Sequence, residues 1–244
     1  MTRSRLFVIR LAATAALLLL AILVVRVLWF PGGHFALAGV ATLLWVLAGV
    51  NLVIGPGLSA VLFRPGKWGL KFDLVVMACV ELAVFTWGMA EIHARRPAFT
   101  VFAVDRFEAV TAAEIDYAVA AGALPRLVYA ELPNDPEIMS QLIDDTVFLG
   151  RADIDRRPEF WRPYAAGMGV IKAAALPVDA LLAPDYDGAA TVQRWLQRHD
   201  ADAADYRFLP VQGASSDGVV LLHADIGYPA AILAIDPWDA ARAQ

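Results

Sequence analysis

The stretch "GPGLSAVLFRPGKWGLKFDL", Gly55 to Leu74, sets Arg64, Lys67 and Lys71 between two long apolar runs and surrounds them with Pro56, Pro65 and several glycines. The apolar sequence resumes at once, with Asp73 at its edge. Glycine and proline end one helix and turn the chain. Cations in a short loop between apolar runs mark the cytoplasmic side of a membrane. This stretch therefore reads as a cytoplasmic turn between two membrane helices, with Arg64, Lys67 and Lys71 setting the topology.

The rest of the chain supports that reading. It has 244 residues, 59% of them hydrophobic, and a mean hydropathy of +0.56, more apolar than an ordinary soluble domain. The excess lies in residues 1–93, which hold seven Lys/Arg and three Asp/Glu. The remainder holds thirteen and twenty-two, so the halves carry +4 and −9. This predicts a membrane anchor over 1–93 and an extracytoplasmic domain over 94–244. The only cysteine, Cys79, lies in an apolar run, so no intramolecular disulfide can form.

A membrane helix needs about 20 mostly apolar residues. Residues 6–28, 35–55 and 72–92 supply three such spans. Arg10 and Arg26 are about 24 Å apart on a helix, so each can reach its own interface. "WFPGGHF", Trp29 to Phe35, is the turn between the first two spans. The basic N-terminus resembles a signal peptide, but no small-residue cleavage pattern follows it, so the first span reads as a retained anchor. Arg3, Arg5 and Arg10 place the N-terminus in the cytoplasm, and three spans then deliver the C-terminal domain to the far side, the periplasm of a diderm bacterium. Arg95 and Arg96 argue mildly the other way.

Two polar residues inside the spans stand out. Glu81 lies near the middle of the third, where an ionised side chain costs about 3 kcal/mol. By residue count no Lys or Arg of the other spans reaches its level. The expectation is a protonated acid between helices or a contact for a partner's membrane helix. Asn51 is expected to join helix to helix by a hydrogen bond.

In the exterior domain "FTVFAVDRF", Phe99 to Phe107, alternates like one strand. "TAAE" from Thr111 to Glu114 is a capping box for a short helix through Ala121. "RLVYAELP" reads as a second strand. "NDPEIMSQLIDDTVFLG" reads as a helix capped by Asn134 or Asp135, with Pro136 in its first turn and Gly150 at its end. "DIDRRPEFWRPYAAGMG" reads as a loop and "DYDGAATVQRWLQRHD" as an amphipathic helix. Three short strands, "YRFLPVQG", "GVVLLHADI" and "YPAAILAIDPW", close the chain. The expected fold is three N-terminal transmembrane helices followed by a small α+β domain ending in an antiparallel meander.

Catalytic patterns are missing. No histidine pair has metal-ligand spacing, and no nucleophile elbow or phosphate-cradling glycine loop is present. The acidic domain makes nucleic acid a poor partner. "RRPEFWRPY" joins Arg156, Arg157 and Arg162 to Phe160, Trp161 and Tyr164, a composition that suits protein contacts. It reads either as a partner-binding loop or as a loop packed on its own domain.

"GPGLSAVLFRPGKWGLKFDL", "RPAFTVFAVDRFEAV" and the terminal "AILAIDPW" together resemble the type IV pilin accessory protein family, the TfpX/TfpZ group, over nearly the whole chain. The Phe63–Leu74 turn and "VDRF", Val104 to Phe107, are the most specific parts. The resemblance implies a bacterial inner-membrane factor that assists type IV pilus assembly, with a cognate pilin, other assembly proteins and lipids as partners. It implies no enzymatic reaction, cofactor or catalytic residue, and it assigns no site residues. A three-span sensor or binding domain, or a tethered hydrolase using Ser215, His223 and Asp225, are the rival readings.

Overall fold

The computed structural model describes residues 3–62, 69–115 and 126–238. The chain forms two compact units, one of Met1–Trp29 with Gly39–Arg95, the other of Phe30–Ala38 with Arg96–Gln244.

The first unit is helical. Helix α1 (Arg3–Val24) runs on through a π-helical turn, Val25–Trp29. Helix α3 (Val40–Leu62) and helix α4 (Leu70–Ala94) follow the one-turn helix α2 (His34–Leu37), which belongs to the second unit. Phe7–Trp29, Val40–Gly57 and Phe72–Ala94 are each long and apolar enough to cross a membrane. Their lipid-facing side chains are exposed, as in Leu19, Trp45, Val53 and Trp87, because hydrocarbon rather than protein covers them. At one end the ring of Trp29 meets His93 edge to face, 4.7 Å between centroids.

Two expectations about the spans change. The second span begins at Val40, after Gly39 at φ 62°, rather than at Phe35. Nor does Pro56 end it, because α3 continues to Leu62 with Pro56 inside. Proline removes one ladder donor, but apolar sequence on both sides keeps the helix favourable in a membrane, where an unwound backbone has no water to bond. Arg64 and Lys67 lie outside the described residues. Lys71 falls in the first turn of α4, entered through Gly69 at φ 84°.

The second unit is built on one sheet. Its eight described strands are β1 (Pro97–Ala103), β2 (Arg106–Thr111), β3 (Arg126–Ala130), β4 (Trp161–Pro163), β5 (Leu176–Pro177), β6 (Tyr206–Gln212), β7 (Gly218–His223) and β8 (Pro229–Leu233). They order as β4-β3-β1-β2-β6-β7-β8, with β5 also paired to β6. β1 pairs parallel to β3 and β2 parallel to β6, while the other pairs are antiparallel, including the terminal meander β6-β7-β8. Three helices pack on the sheet: α5 (Pro136–Leu149), α6 (Met168–Ala174) and α7 (Ala189–His199).

The Phe99–Phe107 run is not one strand. Phe102 pairs with Phe107 and Ala103 with Arg106, so Val104 and Asp105 form a two-residue hairpin turn. Val104 sits at φ 58°. Every residue of β1 is buried, because both faces of this central strand are covered, and such a strand reads as a near-continuous apolar run rather than an alternation. Asp135 caps α5 by accepting from the Glu137 amide, and Gly150 ends it at φ 62°, as expected. Glu114 reaches back to the Thr111 amide at 2.7 Å, but Thr111 ends β2 and residues 112–115 form a turn rather than the expected helix; the rest of that helix, through Ala121, lies outside the described residues.

Strand alternation sorts the core into two faces. Phe102, Phe107, Leu209, Val211, Val220 and Leu222 meet Ile171 of α6 and Tyr164 on one face. On the other, Val101 and Val110 meet Leu142 of α5, and Phe208, Val219 and Leu221 meet Val192 and Leu196 of α7.

Leu37 joins the first of these clusters, 1% exposed. Its carbonyl accepts from the amides of Ser215 and Ser216 at 3.0 and 3.2 Å. His34 bonds Thr100 Oγ1 at 3.0 Å. The turn between the first two spans is therefore part of the sheet domain. A division after His93 had left Phe30–Ala38 with the anchor, since nothing in that uncharged stretch distinguishes a buried peptide from a membrane-side turn.

Candidate functional site

Glu81 lies in the first unit and is ion-paired. Arg10 Nη2 donates to Glu81 Oε2 at 2.7 Å, and the Thr14 hydroxyl donates to Oε1 at 2.9 Å. This overturns the expectation that no cation reaches Glu81. Measured from the paired Trp29 and His93, Arg10 is seven residues further along its helix than Glu81, about 10 Å at 1.5 Å per residue. The long Arg and Glu side chains close that gap, a reach that counting residues leaves out. α3 contributes a glycine here: a Cβ on Gly55 would collide with the Glu81 carboxylate. Asn51 is 2% exposed, but its amide bonds the Leu47 carbonyl of its own helix at 2.8 Å rather than a neighbouring helix. Arg10, Ala13, Thr14 and Leu17 of α1 and Ala78, Glu81, Leu82 and Phe85 of α4 border a cavity of about 280 Å³.

The Arg156–Tyr164 stretch is mostly committed to its own domain. Arg156 bridges Glu114 at 2.8 Å and pairs with Asp155. Arg157 bonds the Ala152 carbonyl at 2.6 Å and Asp145 at 3.4 Å. Phe160 and Trp161 are half-buried and pack against the core cluster beneath α5, Trp161 against the Phe99 ring at 4.6 Å. Tyr164 is buried, and its hydroxyl donates to the Gly227 carbonyl at 2.8 Å. Burial pushes its phenol pKa upward. Arg162 and Pro163 remain exposed on β4, at the edge of the sheet. Arg162 leans on Glu131 at 2.9 Å. Of the aromatic residues in this stretch, Tyr164 is a core residue and Phe160 and Trp161 are half-buried against the core; arginine and aromatic clusters look alike in sequence whether they face a partner or their own sheet.

A charged cluster beside this stretch went unread in the sequence. Arg106 bonds Glu108 at 2.9 Å on β2, and Asp155 and Arg156 lie close by. Burial raises the carboxyl pKa of Glu108 and of Asp155. Glu114 moves down: burial opposes its charge, but the Thr111 amide, Arg156 and the Thr111 hydroxyl outweigh it. Among the described residues no group of three or more His, Cys, Asp or Glu is placed to hold a metal.

Ser215 and His223 are not brought together. Ser215 precedes β7 and bonds Leu37, whereas His223 ends β7 and packs on Tyr206 at 5.0 Å. The length of the strand lies between them.

No protein-family model and no solved structure matches the chain. Curated relatives do. The chain is 25% identical over 220 residues to "Fimbrial assembly protein, serogroup I" of Dichelobacter nodosus, covering 84% of each. It is 25% identical over 221 residues to the serogroup E1 protein of the same organism, again covering 84% of each. A third, for serogroups C1 and C2, matches at 28% over 90 residues, 36% of this chain and 68% of that protein. The alignments with the first two take in anchor and sheet domain alike, and the chain is a homologue of fimbrial assembly proteins, in keeping with its resemblance to the type IV pilin accessory family.

Proposed function

We propose that this protein is a non-enzymatic accessory factor of type IV pilus assembly, seated in the bacterial inner membrane, that binds the cognate pilin and tunes its supply to the growing pilus. The observation that carries this reading is the similarity to two fimbrial assembly proteins over 84% of the chain. The architecture suits the task. A pilin awaiting assembly holds an apolar helix in the membrane and a globular head outside it. A partner for both needs spans and an exterior domain.

The domain is read as periplasmic. Phe30–Ala38, between the first two spans, belongs to the same compact unit as Arg96–Gln244, so the first turn and the domain share one side of the membrane. With Arg3, Arg5 and Arg10 holding the N-terminus in the cytoplasm, that side is the periplasm. Glu81, Arg10 and the faces around them are assigned to the pilin helix, and the exposed Arg162 on the β4 edge to the pilin head.

The test is deletion of the gene in a piliated strain, with pilus number, pilin level and co-purified pilin as readouts. Loss of pili with pilin still made, restored by the full chain, supports the reading. Normal piliation and no pilin in the purified protein refutes it.

A further inference from the structure

Val147, Phe148 and Leu149, the last three residues of α5, are 66%, 76% and 65% exposed. At about 100° per residue they point in three directions around the helix. Leu149 lies one turn beyond Asp145 and two beyond Leu142, on the same side of the helix. Asp145 and Leu142 are buried and Leu149 is not. The last turn of α5 therefore overhangs the sheet instead of resting on it.

The sheet unit joins the spans at Phe30, Ala38 and Arg96. Arg96 precedes β1, and its carbonyl accepts from the Ala112 amide just past β2. Leu37 bonds the turn after β6, and β6 runs parallel to β2. All three junctions thus fall where β1 begins and where β2 and β6 finish. β3, parallel to β1, finishes at the opposite end, and β4 pairs with its last residues. α5 starts from that far end and runs back for 14 residues, about 21 Å. β1 is about 20 Å long. The overhanging turn therefore emerges at the end that carries the junctions. Phe30 follows Trp29, Ala38 stands two residues before Val40, and Arg96 two after Ala94, all termini of the apolar spans. By chain length alone each junction lies within about 7 Å of a span terminus.

We propose that this apolar tip dips into the surface of the lipid bilayer that holds the spans, with Arg151 at the level of the lipid phosphates. Three diverging apolar side chains need a medium that encloses them from every side, and a bilayer surface does so. A groove on a protein covers one direction. The charges are layered to match. After Gly150 the chain folds back, the Arg151 amide bonding the Asp145 carbonyl, so Arg151, Asp144 and Asp145 stand about one turn, ~5 Å, behind the tip. The exposed Arg151 guanidinium meets Asp145 at 3.1 Å and keeps further donors for a phosphate. The spans supply the anchorage, and the tip restrains the swing of the sheet domain about its three tethers. The inference requires only that the spans lie in a bilayer and is independent of the pilus reading.

The experiment uses the full chain with Cys79→Ala, in nanodiscs of phosphatidylethanolamine and phosphatidylglycerol. One new cysteine carries an NBD fluorophore: Phe148→Cys or Leu149→Cys in the tip, or Ile226→Cys as the control. Ile226 is 56% exposed in the turn between β7 and β8, at the end of the sheet away from the junctions. Doxyl-labelled lipid is expected to quench NBD at 148 and 149 about threefold more than at 226, and iodide is expected to do the reverse. Arg151→Glu sets an anion against the phosphates and is expected to lower the lipid quenching at 148 about twofold. If Phe148→Cys fails to accumulate, Leu149→Cys carries the comparison. Quenching of the tip by iodide and not by lipid leaves it in water and overturns the proposal. Protection from both quenchers means that protein covers the tip, a second copy or residues 116–125 of the same chain, and overturns it too. Equal lipid quenching at 148 and 226 makes the fluorophore itself the membrane binder and also overturns it. Unchanged quenching in Arg151→Glu overturns the part given to the arginine.

Discussion

The carbonyl of Leu37, between the first two spans, accepts the amide hydrogen of Ser215, in the turn that opens β7, at 3.0 Å. The Leu37 side chain lies in the core beneath the same turn, so close that a Cβ on Gly213 or Gly218 would collide with it. Leu37→Ala leaves a cavity in a packed core and is expected to destabilise the sheet domain by about 3 kcal/mol. Chemical unfolding of the detergent-solubilised chain, followed by domain tryptophan fluorescence, measures it. Phe35→Ala, outside that core cluster, is expected to cost far less.

His34 adds a dependence on pH. Burial lowers its pKa below the ordinary 6.5, against the opposing effect of its bond to the Pro31 carbonyl. The folded state therefore holds fewer protons on this ring than the unfolded state does. The contribution of neutral His34 is complete above pH 6.5 and is lost as pH falls below it toward the lowered folded value. His34→Gln is expected to flatten that part of the stability profile, read as melting temperature against pH from 7.5 down to 5.

Gly55 and Gly57 give a matched pair on α3. A side chain at Gly55 meets the Glu81 carboxylate, whereas among the described residues nothing lies within 4 Å of one at Gly57. Gly55→Ala is expected to push α3 from α4 and to lower the melting temperature of the purified protein. Gly57→Ala is expected to leave it unchanged or raise it slightly.

Val104 carries the hairpin turn at φ 58°, a conformation that costs a β-branched residue about 1–2 kcal/mol. It is 58% exposed and packs little. Val104→Asn, which tolerates this region, is expected to stabilise the domain by about 1 kcal/mol in the same unfolding assay. A fall in stability would show that Val104 makes a contact worth more than its strain.

The spans were legible because hydrocarbon imposes one demand on every residue of a long run. The terminal meander and α5 were legible for local reasons: Asp135 and Gly150 cap a helix by chemistry within a few residues. The hairpin at Val104 was hidden because its turn lacks the glycine or asparagine that usually announces one. The partition of Phe30–Ala38 was hidden because its partners, Thr100, Ser215 and Ile232, lie far along the chain. The Arg10–Glu81 pair needed helix offsets and side-chain reach that residue counting does not contain. Arg156–Tyr164 was recognised as a special stretch, but its composition did not distinguish an outward face from an inward one.

The burial of Leu37 also orders events during biosynthesis. The first two spans can enter the bilayer while the remaining chain is still on the ribosome, yet the site that receives Leu37 includes Gly213 and Gly218. At about 5–20 residues per second, the apolar peptide waits roughly ten to forty seconds for its cradle to emerge. A chaperone has that interval in which to act. A topology reporter inserted at Gly33, which abuts Ile232, would disrupt the fold it was meant to map.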